Sequence, residues 1–521
     1  MRLYDARILV LLLALAQAAA GQTADYSLEE VEQRESSTGV DTGGRSDMAP
    51  AVMPGGAASI GSARSGVRAR GGQSTMLRYD QHREIQPPEY ATIRLGPFFS
   101  TVGIAQSIGY SYTRLSGAGI DYLEGNRRGD VLDDGMEFPM VSSMTLNNYL
   151  MITRKLDLEI NLGVNYRYFP MQTQEDELQI DLTDEGIFAT FSSQFNPSRD
   201  SRILVYDDIL YRTDYVDTRG FTDRYGGREY SSLQNTVGMD WDWKPSLIDS
   251  FSSAASRRDT IPFDDEFKAQ QGATYAEMLS YRRSFTPFIA GGLLSTASQS
   301  FYTESERADI FIYGLSAFTG LRLARRLTAD TSLGYQLSTS SGGSGADSDS
   351  SSMQASLGLN HEISDAYGQR LSFQRSLQES FVGGVDISDT IGYTLSWNRG
   401  LFPGGLSSTY SSQEPQDDNR NPYSDWTTSL NLQHQLTRLL RLTLNTTYAM
   451  RMNDEAVDDT LPADLISDYE TLTVSLSTGV RLTRNTLLSL YASHADRTSD
   501  NPDMVYTRDT VGALLTWSHQ F

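Results

Sequence analysis

The chain has 521 residues, 39% of them hydrophobic and 21% charged, with a formal net charge of −23 and no Cys. Its apolar content falls below the roughly 45–50% of soluble domains, yet 28 Tyr, 20 Phe and 5 Trp need somewhere to pack. The lack of Cys excludes a disulfide framework, Cys-ligated zinc and a lipidated N-terminal Cys. The acidic balance has the wrong sign for a nucleic-acid surface, which neutralises phosphates with Lys and Arg.

Arg2 and Arg7 flank a short charged start, followed by an apolar run over 8–16 and by Ala18 and Ala20 at the −3 and −1 positions of a cleavage. That order is a secretory signal peptide, so residues 1–20 are expected to be removed on export. Residues 21–90 carry Gly pairs at 43–44, 55–56 and 71–72, Pro at 50, 54, 87 and 88, and no sustained period. Such a segment buries too little apolar area to offset its ordering entropy. A disordered, low-complexity periplasmic tail is expected, too short and too poor in order-forming residues for the plug of a TonB-type receptor. No later apolar run approaches the ~18–20 residues of a membrane helix.

From 91 to 521 the pattern has period two. Leu156–Tyr168 places Leu156, Leu158, Ile160, Leu162, Val164, Tyr166 and Tyr168 on one face and Asp157, Glu159, Asn161, Gly163, Asn165 and Arg167 on the other. Residues 233–243, 327–337, 426–436, 440–450 and 472–482 alternate likewise, with Asn235 an exception in the first. Alternation over 11 or more residues argues a strand with one apolar face. Globular strands average about 5–6 residues, whereas a tilted strand crossing a bilayer needs roughly 9–11. A spanning sheet must also close, because an open edge in lipid leaves backbone groups unpaired.

Tight turns are expected near 154–155, 196–199, 244–246, 286–287, 325–326, 365–369, 403–404, 438–439 and 483–485. Longer polar stretches lie between them, at 214–229, 257–272, 340–352, 413–424 and 453–467, with 116–137 before the first turn and 496–503 after the last. Short turns on one side and long loops on the other is the asymmetry of outer-membrane barrels. The expected fold is all-β: a transmembrane antiparallel up-and-down β-barrel of 18–20 strands over 91–521. Residues 170–195 and 245–285 are irregular enough to hide or lose a pair.

The final strand alternates Val511, Ala513, Leu515, Trp517, His519 and Phe521 against Thr510, Gly512, Leu514, Thr516, Ser518 and Gln520. Thr510, Gly512, Leu515, Trp517 and the terminal Phe521 fit a polar-x-Gly-x-x-apolar-x-apolar pattern ending on an aromatic. That pattern resembles the C-terminal sorting signal of Gram-negative outer-membrane proteins, and residues 90–521 are similar to the porin-like outer-membrane barrel families. The resemblance implies an outer-membrane location and recognition by the barrel-assembly machinery through strand pairing. It implies no solute and no site residues, because these families are defined by architecture.

Enzyme signatures are missing. There is no phosphate loop and no GxSxG elbow, and His361-Glu362 opens like HExxH but has no second His. His82, His361, His434, His494 and His519 are too scattered for a metal site by spacing. His361, His434 and His519 share parity with apolar neighbours and are expected to face outward near strand ends. His494 beside Asp496, at the start of a proposed outer loop, is the one place where rim or outer-wall chemistry would sit, and the bland reading is an ordinary polar pair. Asp133-Asp134, Asp264-Asp265, Asp417-Asp418 and Asp458-Asp459 fall in the long loops. Adjacent carboxylates suit divalent cations bridging lipopolysaccharide; solvated acidic loops are the commoner explanation. The expectation is a non-enzyme with no cofactor, no metal and no nucleic-acid partner, in contact with outer-membrane lipid and lipopolysaccharide.

By parity, Asp157, Glu159, Asn161, Asn165 and Arg167 point into the lumen, as do Arg441, Thr443, Asn445, Thr447 and Arg451, and Thr473, Ser475, Ser477 and Arg481. Hydroxyls, amides and both charge signs suit a water-filled channel; the same groups can also hydrogen-bond a plug. Tyr166, Tyr168, Phe169, Trp241 and Trp243 sit at strand ends, where they suit the interfacial girdle. The function expected is passive diffusion of small hydrophilic solutes or ions, with a cation preference from the acidic balance. Export of polysaccharide or protein is the alternative, as is a structural, surface-exposed barrel with 338–352 as a flexible external loop.

Overall fold

The computed structural model describes residues 93–116, 135–138, 140–168, 180–216, 228–263, 265–303, 307–342, 348–380, 384–416, 422–437, 439–453, 468–483, 485–500 and 505–520. The expected signal peptide and tail lie outside these residues. Twenty strands make the wall. In chain order they are β1 (Phe98–Ser116), β2 (Met140–Thr153), β3 (Leu156–Tyr168), β4 (Ile180–Ser198), β5 (Ser201–Val216), β6 (Arg228–Trp243) and β7 (Asp249–Pro262). Next come β8 (Gly272–Thr286), β9 (Ile289–Tyr302), β10 (Asp309–Ala324), β11 (Leu327–Ser341), β12 (Ser348–Ser364), β13 (Tyr367–Glu379) and β14 (Val385–Trp397). The last six are β15 (Gly404–Pro415), β16 (Tyr423–Gln435), β17 (Leu440–Asn453), β18 (Tyr469–Arg481), β19 (Thr486–Ser499) and β20 (Tyr506–Gln520).

Each strand pairs antiparallel with the next, and β20 returns to β1 from Gly103↔Gln520 to Ser116↔Thr507. The sheet is therefore a closed up-and-down barrel, and the count is 20 rather than 18. Two short pieces supplement β1 where its wall neighbours stop: Ile93–Leu95 pairs with its first residues, and Gly135–Glu137 pairs with Ser111–Thr113 above the end of β2. With about 4.8 Å between strands and a tilt near 40°, twenty strands enclose a backbone diameter of about 40 Å.

All nine short turns fall where the sequence places them, and they share one end of the barrel with the start of β1 and the end of β20. Strands run from 12 to 19 residues, longer than a bilayer requires, so several stand above the membrane on the loop side. The described part of the first irregular stretch, from Ile180, is strand β4, and β7 and β8 cover most of the second. Several expected loops shrink at their ends, among them 257–272 and 340–352. Residues 257–262 belong to β7, and Ser348–Ser352 belong to β12, paired with β11 from Ser340 downward.

Alternation decides what each side chain meets. Large apolar residues such as Met144, Leu162, Val205, Leu293, Leu315, Leu333 and Leu371 are exposed on the outside. Outside a barrel that spans lipid, such exposure is burial in hydrocarbon. Buried positions belong mostly to small inward residues, among them Ser111, Ala276, Ser300, Ser316 and Thr510. At the turn end, Trp241, Trp243, Phe251 and Tyr281 form a continuous row of ring contacts at 4.8–5.9 Å, and the Trp241 indole N–H donates to Ser201 at 3.0 Å. Amphipathic rings there suit the lipid headgroup level. Among the described residues no helix is long and apolar enough to cross a membrane; the crossing elements are strands.

A charge placed on the outer face at mid-height therefore destabilises, and the same charge inside does not. Leu315→Arg is expected to cost about 2–4 kcal/mol in urea unfolding from liposomes. Thr443→Arg, on the inward face of β17, is expected to leave the unfolding midpoint nearly unchanged.

The lumen and its mouth as candidate functional site

The inner face of the wall is polar and largely bonded to itself. On β3, Asp157 accepts from the Tyr149 hydroxyl at 2.9 Å and from the Gln194 backbone N–H at 2.8 Å. The Asn161 amide donates to Glu159 at 2.9 Å and to the Thr190 hydroxyl at 3.2 Å. Across the barrel the Asn431 amide donates to the Asn445 carbonyl, and Thr516 shares a 2.9 Å hydrogen bond with Ser107 across the β1–β20 closure. In the strand register Asp157, Glu159, Asn161, Arg167, Arg441, Asn445, Arg451 and Arg481 have the parity opposite to the outward apolar residues of their strands. The side chains of Tyr166, Arg167 and Tyr168 are outside the described residues, as is Phe169 altogether.

Inward aromatic rings lie against the wall. Tyr206 sits over Gly238, Phe188 over Gly163 and Tyr491 over Gly512, each glycine directly opposite its ring in the ladder. A Cβ added at these glycines would stand 2.1–2.4 Å from the ring. The missing side chain is thus what lets the ring lie over the opposite strand. Gly512, which the sequence singles out for its place in the C-terminal pattern, has this packing duty in the fold. Thr510 faces inward and bonds Thr113 at 3.3 Å, and Leu515 and Trp517 face outward; Phe521 lies outside the described residues.

At the loop end of β16–β20 a row of inward side chains alternates Tyr and Arg across five neighbouring strands. Arg451 stands 4.2 Å from the Tyr423 ring and 5.9 Å from that of Tyr469; Arg497 stands 3.9 Å from Tyr469 and 5.9 Å from Tyr506. The Arg451 guanidinium, only 2% exposed, donates to Asp425 at 2.9 Å. Cation–π contacts strengthen when desolvated, so the row works as a stiff rim. Sequence reading finds Arg451 by parity and misses its partners, since five strands must be in register before the row exists.

The mouth has a second, unforeseen feature. The ladder between β12 and β13 stops at Ala355↔Arg375, although β12 continues up to Ser348 and β13 to Glu379. Above that point Leu377, Val385 and Ile387 keep the parity that faces outward lower down, as at Leu371 and Ile391. Yet they are buried in one cluster with Ile310 and Ile312, which face inward from β10. The end of the β13–β14 hairpin has therefore slipped inside the wall, its outer face on the inner face of β10–β12. Hydrogen bonds pin it there. The Leu377 N–H donates to Gln336 of β11 at 2.8 Å, and Glu379 accepts from Ser300 of β9 at 2.7 Å and from Arg307 at 3.0 Å. Arg307 also donates to the Ser380 carbonyl at 2.9 Å and stacks 4.0 Å from the Tyr302 ring. The one sequence sign is that Arg375 and Glu379 occupy outward positions where lipid would oppose them.

His494 and Asp496 lie within β19 rather than at a loop start, because β19 continues to Ser499. Both face outward, and they do not pair. The His494 Nδ1 lies 2.7 Å from Asp509 of β20, and Asp496 accepts from the Thr507 hydroxyl at 2.9 Å. His361, His434 and His519 also face outward; His434 packs on Phe402 at 4.8 Å and His519 stacks on Trp517 at 6.1 Å. Asp265 opens a short 3-10 turn, Asp265–Gln270, and the rest of the paired aspartates lie outside the described residues.

No family model matches the chain, and no curated protein matches it. Among solved structures it is similar to the FrpB iron transporter from Neisseria meningitidis (F3-3 variant), with a TM-score of 0.47 and 9% identity over 80% of this chain and 81% of that one. It is similar to the alcaligin outer-membrane receptor FauA from Bordetella pertussis, with a TM-score of 0.41 and 11% identity over 80% of this chain and 76% of that one. It is also similar to OpdL from Pseudomonas aeruginosa, with a TM-score of 0.40 and 8% identity over 81% of this chain and 99% of that one. Nothing about this chain's cargo follows from them.

Removing one partner of the buried rim pair leaves an uncompensated charge. Asp425→Ala is expected to destabilise by about 3–5 kcal/mol in unfolding from detergent micelles. Arg497→Lys, which keeps the charge but loses the planar stack, is expected to cost less. Gly512→Leu is expected to push the Tyr491 ring off the wall, seen as slower folding on a heat-modifiability gel.

Proposed function

We propose that this outer-membrane β-barrel, a closed antiparallel wall with an apolar outer face and short turns at one end, passes small hydrophilic solutes or ions passively through its polar lumen and performs no chemistry on them. The observation that carries this reading is the inner wall itself, where polar groups bond each other and aromatic rings fold flat over glycines. A wall about 40 Å across is far wider than its side chains fill, so an aqueous path follows.

Selectivity then depends on where lumen charges lie, and the net charge of −23 is a poor guide to it. Arg441, Arg451, Arg481, Arg497 and Arg508 face inward from β17–β20, with no inward carboxylate on those four strands. On β3–β6 Asp157, Glu159, Asp208, Asp240 and Asp242 face inward, but Arg202 faces inward too and pairs with Asp242 at 2.5 Å, and Arg167 and Arg212 share the inward parity. The β17–β20 sector is thus the more positive side of the lumen, and the transverse field this sets up favours small dipolar solutes over bare cations. A second reading, a barrel closed to diffusion and serving export or surface structure, is favoured by the hairpin tucked into the mouth.

Planar-bilayer conductance on a sample that shifts on heating decides between the two. Uniform current steps support diffusion, and a silent, heat-shifting sample supports the closed reading. Arg441→Glu with Arg481→Glu is expected to move the reversal potential toward cations in a salt gradient. Leu377→Asp with Ile387→Asp, which puts two carboxylates into the apolar cluster under the hairpin, is expected to raise single-channel conductance.

A further inference from the structure

The outer wall at β7–β9 differs from that of its neighbours β10 and β11. Across β7, β8 and β9 run three outward ladder rows: Ser253–Leu279–Ser295, Ala255–Glu277–Ala297 and Arg257–Tyr275–Gln299. On β10 and β11 those rows continue into Leu315, Tyr335, Tyr313, Leu337 and Phe311, all large and exposed. Aromatic residues frame the β7–β9 rows, with Phe251 and Tyr281 below and Tyr275 of the third row against Phe301 at the top, so the Ser253 and Ala255 rows lie at hydrocarbon depth and Arg257 at its upper aromatic edge. Arg257 is 51% exposed there, held by Asp259 at 2.7 Å and stacked 5.3 Å from the Tyr275 ring. Glu277 is exposed between two alanines. Below the rows, an open hollow in the same wall is lined by Pro245, Asp249, Phe251, Tyr281 and Arg283.

Lipid is a poor neighbour for such a surface. Charges on the lipid face of a barrel are destabilising and most so near the midplane, and Ser and Ala offer acyl chains little area. Small residues do suit another protein wall, because they let two backbones approach closely. The two charge signs say which wall. An isologous contact has a two-fold axis along the membrane normal and opposes a patch to itself at equal height. With the axis between β7 and β8, β7 of one copy faces β8 of the other, so Glu277 of one copy meets Arg257 of its partner, one row away and within reach of both long side chains.

We propose that the β7–β9 face is the contact surface between two copies of this chain, closed by reciprocal Glu277–Arg257 ion pairs over a bed of Ser253, Ala255, Ser295 and Ala297. The contact takes Glu277 out of lipid and gives Arg257 a second carboxylate beside Asp259.

The chain's lack of Cys makes the test clean. Ala255→Cys in full-length protein, oxidised in native outer membranes with copper phenanthroline, is expected to give a disulfide-linked band at twice the protomer mass. Leu333→Cys on β11 serves as the far-wall control and is expected to stay monomeric. In the Ala255→Cys background, Glu277→Arg or Arg257→Glu alone is expected to cut the dimer band at least tenfold, and the two together to restore it to within about twofold. Each variant is first shown to shift on heating, and Ala255→Cys alone keeps the question open to measurement if a charge variant fails to fold. Four results would each overturn the proposal: a folded Ala255→Cys protein that stays monomeric, equal cross-linking at Leu333→Cys, capture in a band of another mass, or a double reversal that restores nothing.

Discussion

A backbone amide in hydrocarbon has no water to bond, so each one in the wall must find a carbonyl on a neighbouring strand. Closure of β20 onto β1 meets that demand at the last edge, and most of the molecule follows from it. Twenty strands brought round to meet themselves enclose a space about 40 Å across, and the face turned to it is polar. The outer face receives the large apolar residues because lipid is there. A chain with a modest apolar content is thereby a well-solvated membrane protein, its oil on the outside and its small polar residues between strands.

Much of this was legible in the residues. Alternation in Leu156–Tyr168 and 440–450 fixed both the strands and the side facing the lumen, since a one-residue slip would have reversed every assignment. Turn chemistry located all nine hairpin ends. Where alternation failed, at 245–285, the cause is physical: the outward lanes of β7 and β8 hold Ser253, Ala255, Arg257, Asp259 and Glu277, so neither face reads as apolar. The irregularity was a property of the surface and not of the fold. Loop limits at 257 and 352 were misjudged for a related reason. Strands that continue above the membrane no longer need an apolar face, and their polar ends read as loop.

The mouth was illegible because it depends on departures from local rules. Leu377, Val385 and Ile387 have ordinary outward parity, and only the interrupted β12–β13 ladder reveals that they turn inward onto Ile310 and Ile312. The Tyr–Arg row likewise needs five strands in register before Arg451 and Arg497 find their rings. Both features lie at the loop end, above the part of the wall that lipid constrains. The bilayer enforces pattern on a sequence only as far as it reaches; beyond it, residues are free to pair by contact.

The tucked hairpin leaves something behind on the outside. With β13 withdrawn, the upper part of β12 from Asp349 to Gln354 pairs with no strand on that side among the described residues. A bare edge is a template on which another chain can add a strand and begin to aggregate. The residues along this one are Asp349, Ser350, Ser351, Ser352, Met353 and Gln354, a run with an acidic start, weak strand propensity and almost no apolar surface to reward a newcomer. A barrel that parts its own wall on a crowded cell surface has dressed the parting in residues that give a stray strand little to hold.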